Sequence, residues 1–200
     1  MEQYYEQNVV NNNIDERMRK TKTLTIAKTV CIIIALGVLL TSILFVSDEA
    51  FLFWLGIFVI VSVPFICASI ILGHINKRNN TEYDYTIDDE YLKITEIYFR
   101  QTRKLKHTIR LRTVESVGVF GSEGYKKIQD KADKKILALV NYDDEDAILY
   151  ILYNTQKGRR IVFVEPDRGF IIALRRVVSA VTIFDKSVSD LDKKLNGVEE

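Results

Sequence analysis

Two apolar runs, residues 24–46 and 51–73, stand four residues apart in this 200-residue chain, and the rest of the molecule must be arranged around them. Each can cross a bilayer, because about 20 helical residues at ~1.5 Å rise span the ~30 Å hydrocarbon layer. The turn between them, Ser47-Asp48-Glu49-Ala50, is short and acidic. Such a link joins antiparallel neighbours, so the runs predict a membrane hairpin that returns the chain to the side it left. The first run is longer than the roughly 7–15 residue core of a secretion signal and is followed at once by a second span, which reads as an uncleaved anchor.

Positive charge sets the orientation. Arg17, Arg19, Lys20, Lys22 and Lys28 precede or enter the first run, Lys77 and Arg78 follow the second, and the turn carries none. A multi-pass protein of the cell membrane with both termini cytoplasmic is the expectation. Lys22, Lys28, Trp54, Lys77 and Arg78 are the expected membrane-interface residues: Lys28 reaches back along its flexible stem, and an indole suits the headgroup level. Pro64 falls in the middle of the second run, where it removes a backbone hydrogen bond. The small pairs Gly37/Thr41 and Ser69/Gly73 allow close helix approach and leave a homo-oligomer open. No ionisable residue lies deep in either run, which argues against a transporter or channel. Cys31 and Cys67 lie within the runs and read as small packed residues.

From Thr81 to Glu200 there are 21 Lys/Arg and 21 Asp/Glu. A neutral domain lacks the field of a dedicated nucleic-acid binder. Its patterning changes at Glu82. Period-two alternation of apolar and polar residues, the signal of half-buried strands, covers 82–87 and 91–99, with a break near Glu96 that suits a bulge. Two further strand-like runs, 104–111 and 114–120, follow the basic turn Arg100-Gln101-Thr102-Arg103. Residues 121–135 read as a long loop with room for a helical turn. Three more runs, 136–140, 147–153 and 160–164, are separated by polar connections. Asp167 is a plausible N-cap, and Phe170, Leu174, Val177, Val178 and Val181 then recur on one helical face. After Phe184 the chain is polar and reads as a fraying tail.

The predicted organisation is therefore a basic cytosolic segment (1–23), a transmembrane hairpin (24–73), a β domain (81–184) and a flexible tail (185–200). The fold class is α+β. Four strands, a long connection, three strands and a closing amphipathic helix follow the order of a pleckstrin-homology (PH)-like fold: a seven-stranded open β-barrel whose C-terminal helix closes one end. The chain also resembles the small, uncharacterised bacterial membrane proteins that carry a two-helix anchor and a cytosolic PH-like domain. The resemblance rests on the basic lead, the hairpin, and the segments EYDYTIDDEYLKI, RKLKHTIRL and RRIVFVEPDRGFIIALRRV. It implies a fold and a location, and it brings no catalytic residues.

The candidate sites are few. Arg100, Arg103, Lys104 and Lys106, with His107 beside them, form a basic group suited to an anion or a lipid headgroup. The first hairpin turn, Asp88-Asp89-Glu90, would repel a phosphate there. Gly118, Gly121 and Gly124 make G-x-x-G-x-x-G, which is neither a dinucleotide fingerprint nor a P-loop. Asp143, Asp144, Glu145 and Asp146 lack calcium-site spacing. His74 and His107 have no metal-ligand partner at helical spacing, and no serine or cysteine sits in a nucleophile motif. The reading is a noncatalytic, membrane-anchored binding or scaffold module that needs no cofactor, contacts membrane lipid and recruits a protein partner of unspecified identity. The alternative is a ligand-sensing membrane effector, for example for a cyclic nucleotide, of the type that joins two helices to a small β-barrel.

Overall fold

The computed structural model describes every residue except 1–4, 11–13, 46–48, 100, 142–146 and 198–200. The chain forms two compact units. One is Asn13–Thr81; the other is assembled from both flanks, Met1–Asn12 with Glu82–Glu200.

The first unit is the helical hairpin. Helix α1 (Ile14–Thr41) runs into a 3-10 turn at Ser42–Phe45, and α2 (Phe51–Asn79) returns, passing through Pro64 unbroken. Residues 47 and 48 of the acidic turn lie outside the described residues. Both helices run well beyond the apolar stretches. Asp15 and Glu16 open α1, while Lys77 and Arg78 sit in the last turn of α2, each matching the sign that the helix dipole favours. The helices are antiparallel. The Asn80 amide donates to Thr21 Oγ1 at 2.8 Å, the Asn76 amide donates to Thr25 Oγ1 at 3.1 Å, and the Lys28 stem passes over Gly73.

The seam between the helices is made of small or polar side chains: Ala35 on α1 and Ser42 at the start of the 3-10 turn that continues it, and Ser62, Ser69 and Asn76 on α2. Along each leg of the hairpin these recur every seven residues, the interval at which two helices stay in register by wrapping left-handedly. Ser69, from the second small pair, lies in this seam. Gly37 and Thr41 do not; both are exposed, with open space beside Gly37. Only 11% of each helix's most apolar stretch is buried, whereas the core helix of a soluble protein is mostly covered. The chain thus has two helices long and apolar enough to cross a membrane, and their greasy surfaces find little partner within it.

The second unit holds nine strands among the described residues, in two open sheets. The first sheet has the order β1 (Tyr5–Val9), β2 (Thr81–Ile87), β3 (Tyr91–Tyr98), β4 (Thr102–Arg110). The second contains β5 (Val114–Val119), β6 (Lys134–Leu137), β7 (Leu149–Thr155), β8 (Gly158–Val164) and β9 (Ile183–Phe184), in the order β6-β8-β7-β5-β9. Three helices accompany them: α3 (Glu123–Ile128), α4 (Arg168–Val177) and α5 (Lys186–Leu195). This corrects the expected seven-stranded barrel closed by one helix. The seven strands read from the sequence are β2 to β8; β1 and β9 are additional. A bulge lies close to the predicted break: Ile94 faces His107 and Thr95 faces Leu105, so Lys106 is the extra residue.

Strand β1 comes from the segment ahead of the hairpin. It pairs antiparallel with β2 from Tyr5 opposite Ile87 to Val9 opposite Tyr83. Its side chains also hold the β8–α4 junction. Gln7 Nε2 donates to the Glu165 carbonyl at 2.9 Å, and Gln7 Oε1 accepts the Asp167 N–H at 3.1 Å. The Tyr5 hydroxyl donates to the Asp167 carboxylate, and burial with that neighbouring charge raises the Tyr5 pKa well above its usual value. Gly169 leaves room for the Tyr5 ring: a Cβ there would lie 2.6 Å from the phenol oxygen.

Asp167 caps α4 by accepting the Phe170 N–H at 2.7 Å. The helix then lays Phe170, Ile171 and Leu174 into the main core, where Phe170 meets Tyr85 edge to face at 5.7 Å. It ends at Val177, one turn short of the predicted face, which leaves Val181 exposed. Tyr85 links the sheets by donating to the Ala138 carbonyl and accepting the Glu165 N–H at 3.3 Å.

Within the segment expected as a flexible tail, Lys186–Leu195 instead form helix α5. Asp185 caps α5, and Val188 and Leu191 are buried in the same core as Phe170. Two apolar residues three apart suffice to dock a helix whose other positions are mostly polar or charged. The start of α5 is tied to β5, with the Asp185 N–H donating to the Val117 carbonyl at 2.9 Å and the Val119 N–H donating to Ser187 Oγ at 3.2 Å.

Candidate functional site

The basic group falls on β4 and the turn before it. Arg100 lies outside the described residues. Arg103, Lys104 and Lys106 are on β4, but the strand does not leave all three cations available. Arg103 reaches the buried Asp84 carboxylate at 3.5 Å, which also accepts the Asn8 amide at 2.7 Å. Burial raises the Asp84 pKa despite those two partners. Lys106 pairs with Glu96 at 2.8 Å, and Glu96 also accepts hydrogen bonds from the hydroxyls of Tyr83 and Tyr98. Lys104 has no ion pair among the described residues. Of the three predicted residues that are described, Arg103 and Lys106 are paired with carboxylates and Lys104 is not.

His107 supplies the link that the sequence could not. Half-buried, it sits near Lys106 and Glu96 on its own sheet and near Lys134 of β6 and Arg160 of β8 on the other. Burial lowers its pKa below the ordinary histidine value; Lys106, Lys134 and Arg160 push the same way, and Glu96 opposes them. The unfolded chain therefore takes the proton first. Above about pH 6.5 both states are neutral and His107 contributes nothing. As pH falls below that value, the folded domain loses stability. Melting of the β domain between pH 7 and pH 5 should show this loss, and His107→Gln should remove that part of the slope.

The glycine-bearing segment serves packing. A Cβ on Gly118 would lie 2.6 Å from the Tyr150 ring, and one on Gly124 would collide with the Asp185 carboxylate. That carboxylate accepts the hydroxyl of Ser122 at 2.9 Å and the N–H of Ser187 at 3.2 Å, joining the starts of α3 and α5. Burial alone would raise its pKa, but these bonds and one from the Gly124 N–H hold it below the usual carboxylate range. Gly121 occupies the left-handed region at φ 77°, as the turn requires. Gly124→Ala should destabilise the domain by about 1–3 kcal/mol through overpacking, as a denaturant midpoint would report. A groove of about 500 Å³ lies beside this cluster, with Lys127, Lys131, Ile183, Tyr150 and Leu152 among its lining. Glu115 in the groove pairs with Arg159 at 3.2 Å, so acids and bases are mixed along it.

The residues expected at a membrane interface lie on the hairpin helices. Lys22 and Lys28 are on α1; Trp54, Lys77 and Arg78 are on α2. Trp54 stands edge to face with Phe53 at 5.9 Å. Lys28 lies along the seam beside Gly73. The acidic residues 143–146 lie outside the described residues.

A family model described as a bacterial PH-like domain (DUF6106) matches residues 1–183. It extends over the hairpin as well as the β unit. No curated protein and no solved structure matches the chain.

Proposed function

Because the chain belongs to the bacterial PH-like domain family, we propose that it is a noncatalytic binding or scaffold module anchored in the cell membrane, with both termini and the β unit on the cytoplasmic side. PH-like domains are in general noncatalytic binding modules. The observation that carries the reading is the pairing of β1 with β2. Everything from residue 10 to residue 80 is the connection between two hydrogen-bonded neighbours of one sheet. A membrane crossed within that connection must be crossed an even number of times. Two helices, each long and apolar enough to span and each largely uncovered, supply that number. The pairing also favours a retained anchor, since cleavage after the first run would take β1 from its sheet. Anchoring concentrates the domain near membrane-bound partners, so weak contacts suffice.

The test uses the full chain. A reporter fused behind Glu200 and a cysteine label placed near Glu49 should respond oppositely to an impermeant reagent on intact cells, with only the turn accessible. Crosslinking in the membrane followed by affinity capture should then enrich a protein partner over a control carrying the hairpin alone. An accessible C-terminus, or capture no better than the control, overturns the reading.

A further inference from the structure

We propose that β4 accepts an acidic, extended peptide as an added strand on its open edge. This rests on the reading of the β unit as a binding module and names the class of partner. Strand β4 is the last of its sheet, pairs among the described residues with β3 alone, and is nine residues long. Such an edge presents a row of backbone N–H and C=O groups that a polypeptide can match and a lipid headgroup cannot. All of β4 is exposed except His107 and Ile109. It carries Arg103, Lys104, Lys106 and Arg110 and no acid.

Charge selects the occupant. Lysines on an edge protect a sheet from pairing with its own kind, because a second copy of β4 would set cation against cation. The same charges favour an acidic strand. Lys104 and Arg110 have no ion pair among the described residues, and the cations Lys134 and Arg160 stand near His107 from the other sheet. Apolar surface is present too: Leu105 on β4 and Leu137 on β6 are each 55% exposed. A peptide alternating acidic and apolar residues answers both features, since successive side chains of a strand point to opposite faces.

The probe is a fluorescein-labelled peptide of four Glu-Val repeats, titrated into the full-length protein in neutral detergent micelles and followed by anisotropy and by hydrogen exchange. Expected are saturable binding that weakens in high salt, slowed exchange over residues 102–110, and no binding of four Lys-Val repeats. Methylating alternate peptide nitrogens should weaken binding by about tenfold or more, since the strand pairing is then lost. The double variant Lys104→Glu/Arg110→Glu should weaken it to a similar degree; if that variant misfolds, the methylated peptide tested on the native chain decides alone. Equal binding of the methylated peptide, or no slowing over 102–110, overturns the proposal. So does protection of the same residues by phosphatidylglycerol nanodiscs that exclude the peptide, which would make the strand a lipid contact. A partner captured by the full chain while the peptide arm fails removes only the β4 assignment and leaves the binding-module reading standing.

Discussion

Expressed alone, residues 81–200 should fail to give a stable domain, whereas residues 1–10 joined through Asn-Gly to residues 82–200 should give a soluble one that unfolds cooperatively. The two differ in β1. Its loss leaves β2 as a bare edge, uncovers core around Val9, and removes the Asn8 amide from the buried Asp84 carboxylate. It also frees the β8–α4 junction held by Tyr5 and Gln7. Burial of a large apolar side chain contributes about 1.5–3 kcal/mol and each internal hydrogen bond about 1 kcal/mol. The strand's total is therefore on the order of 5 kcal/mol, comparable to the entire stability of many domains. Val9 faces Tyr83, so residues 10 and 82 lie where a two-residue turn can join them. Urea melts followed by circular dichroism decide the matter: equal midpoints for the two proteins would mean that β1 is dispensable.

Leu191→Ala should lower stability by about 2–5 kcal/mol, and truncation after Asp185 should lower it further. Both act on side chains in the core shared with Phe170, Ile109 and Val162. Lys193→Ala, on the exposed face of the same helix, should change stability by no more than about 0.5 kcal/mol. A chain ending at Asp185 with an unchanged denaturant midpoint would restore the tail to a mere appendage.

The two apolar runs, the strands β2 to β8 and the capped helix after Asp167 were legible because each carries a strong local signal: length and greasiness, alternation, or an N-cap ahead of a helical face. The elements that escaped were those whose burial depends on distant partners. Tyr5-Glu6-Gln7-Asn8-Val9 is too short and too polar to announce a strand, and it becomes one because β2 offers an edge 70 residues later. Helix α5 has only Phe184, Val188, Leu191 and Leu195 as an apolar trace, diluted by six charged residues between 185 and 194. Val181 failed in the other direction, fitting the period of α4 but falling beyond its end. At the basic group, the sequence showed the charges and not their neutralisation. Asp84 and Glu96 lie far enough from Arg103 and Lys106 along the chain that only the folded sheet brings them together.

The pairing of Val9 with Tyr83 sets an order of events during synthesis. The first strand leaves the ribosome with no partner, and at about 5–20 residues per second its neighbour follows roughly 4–15 s later. Both greasy helices are translated in that interval. Closure of the sheet therefore waits until the whole hairpin has been made, and until then the first strand stays an unpaired edge.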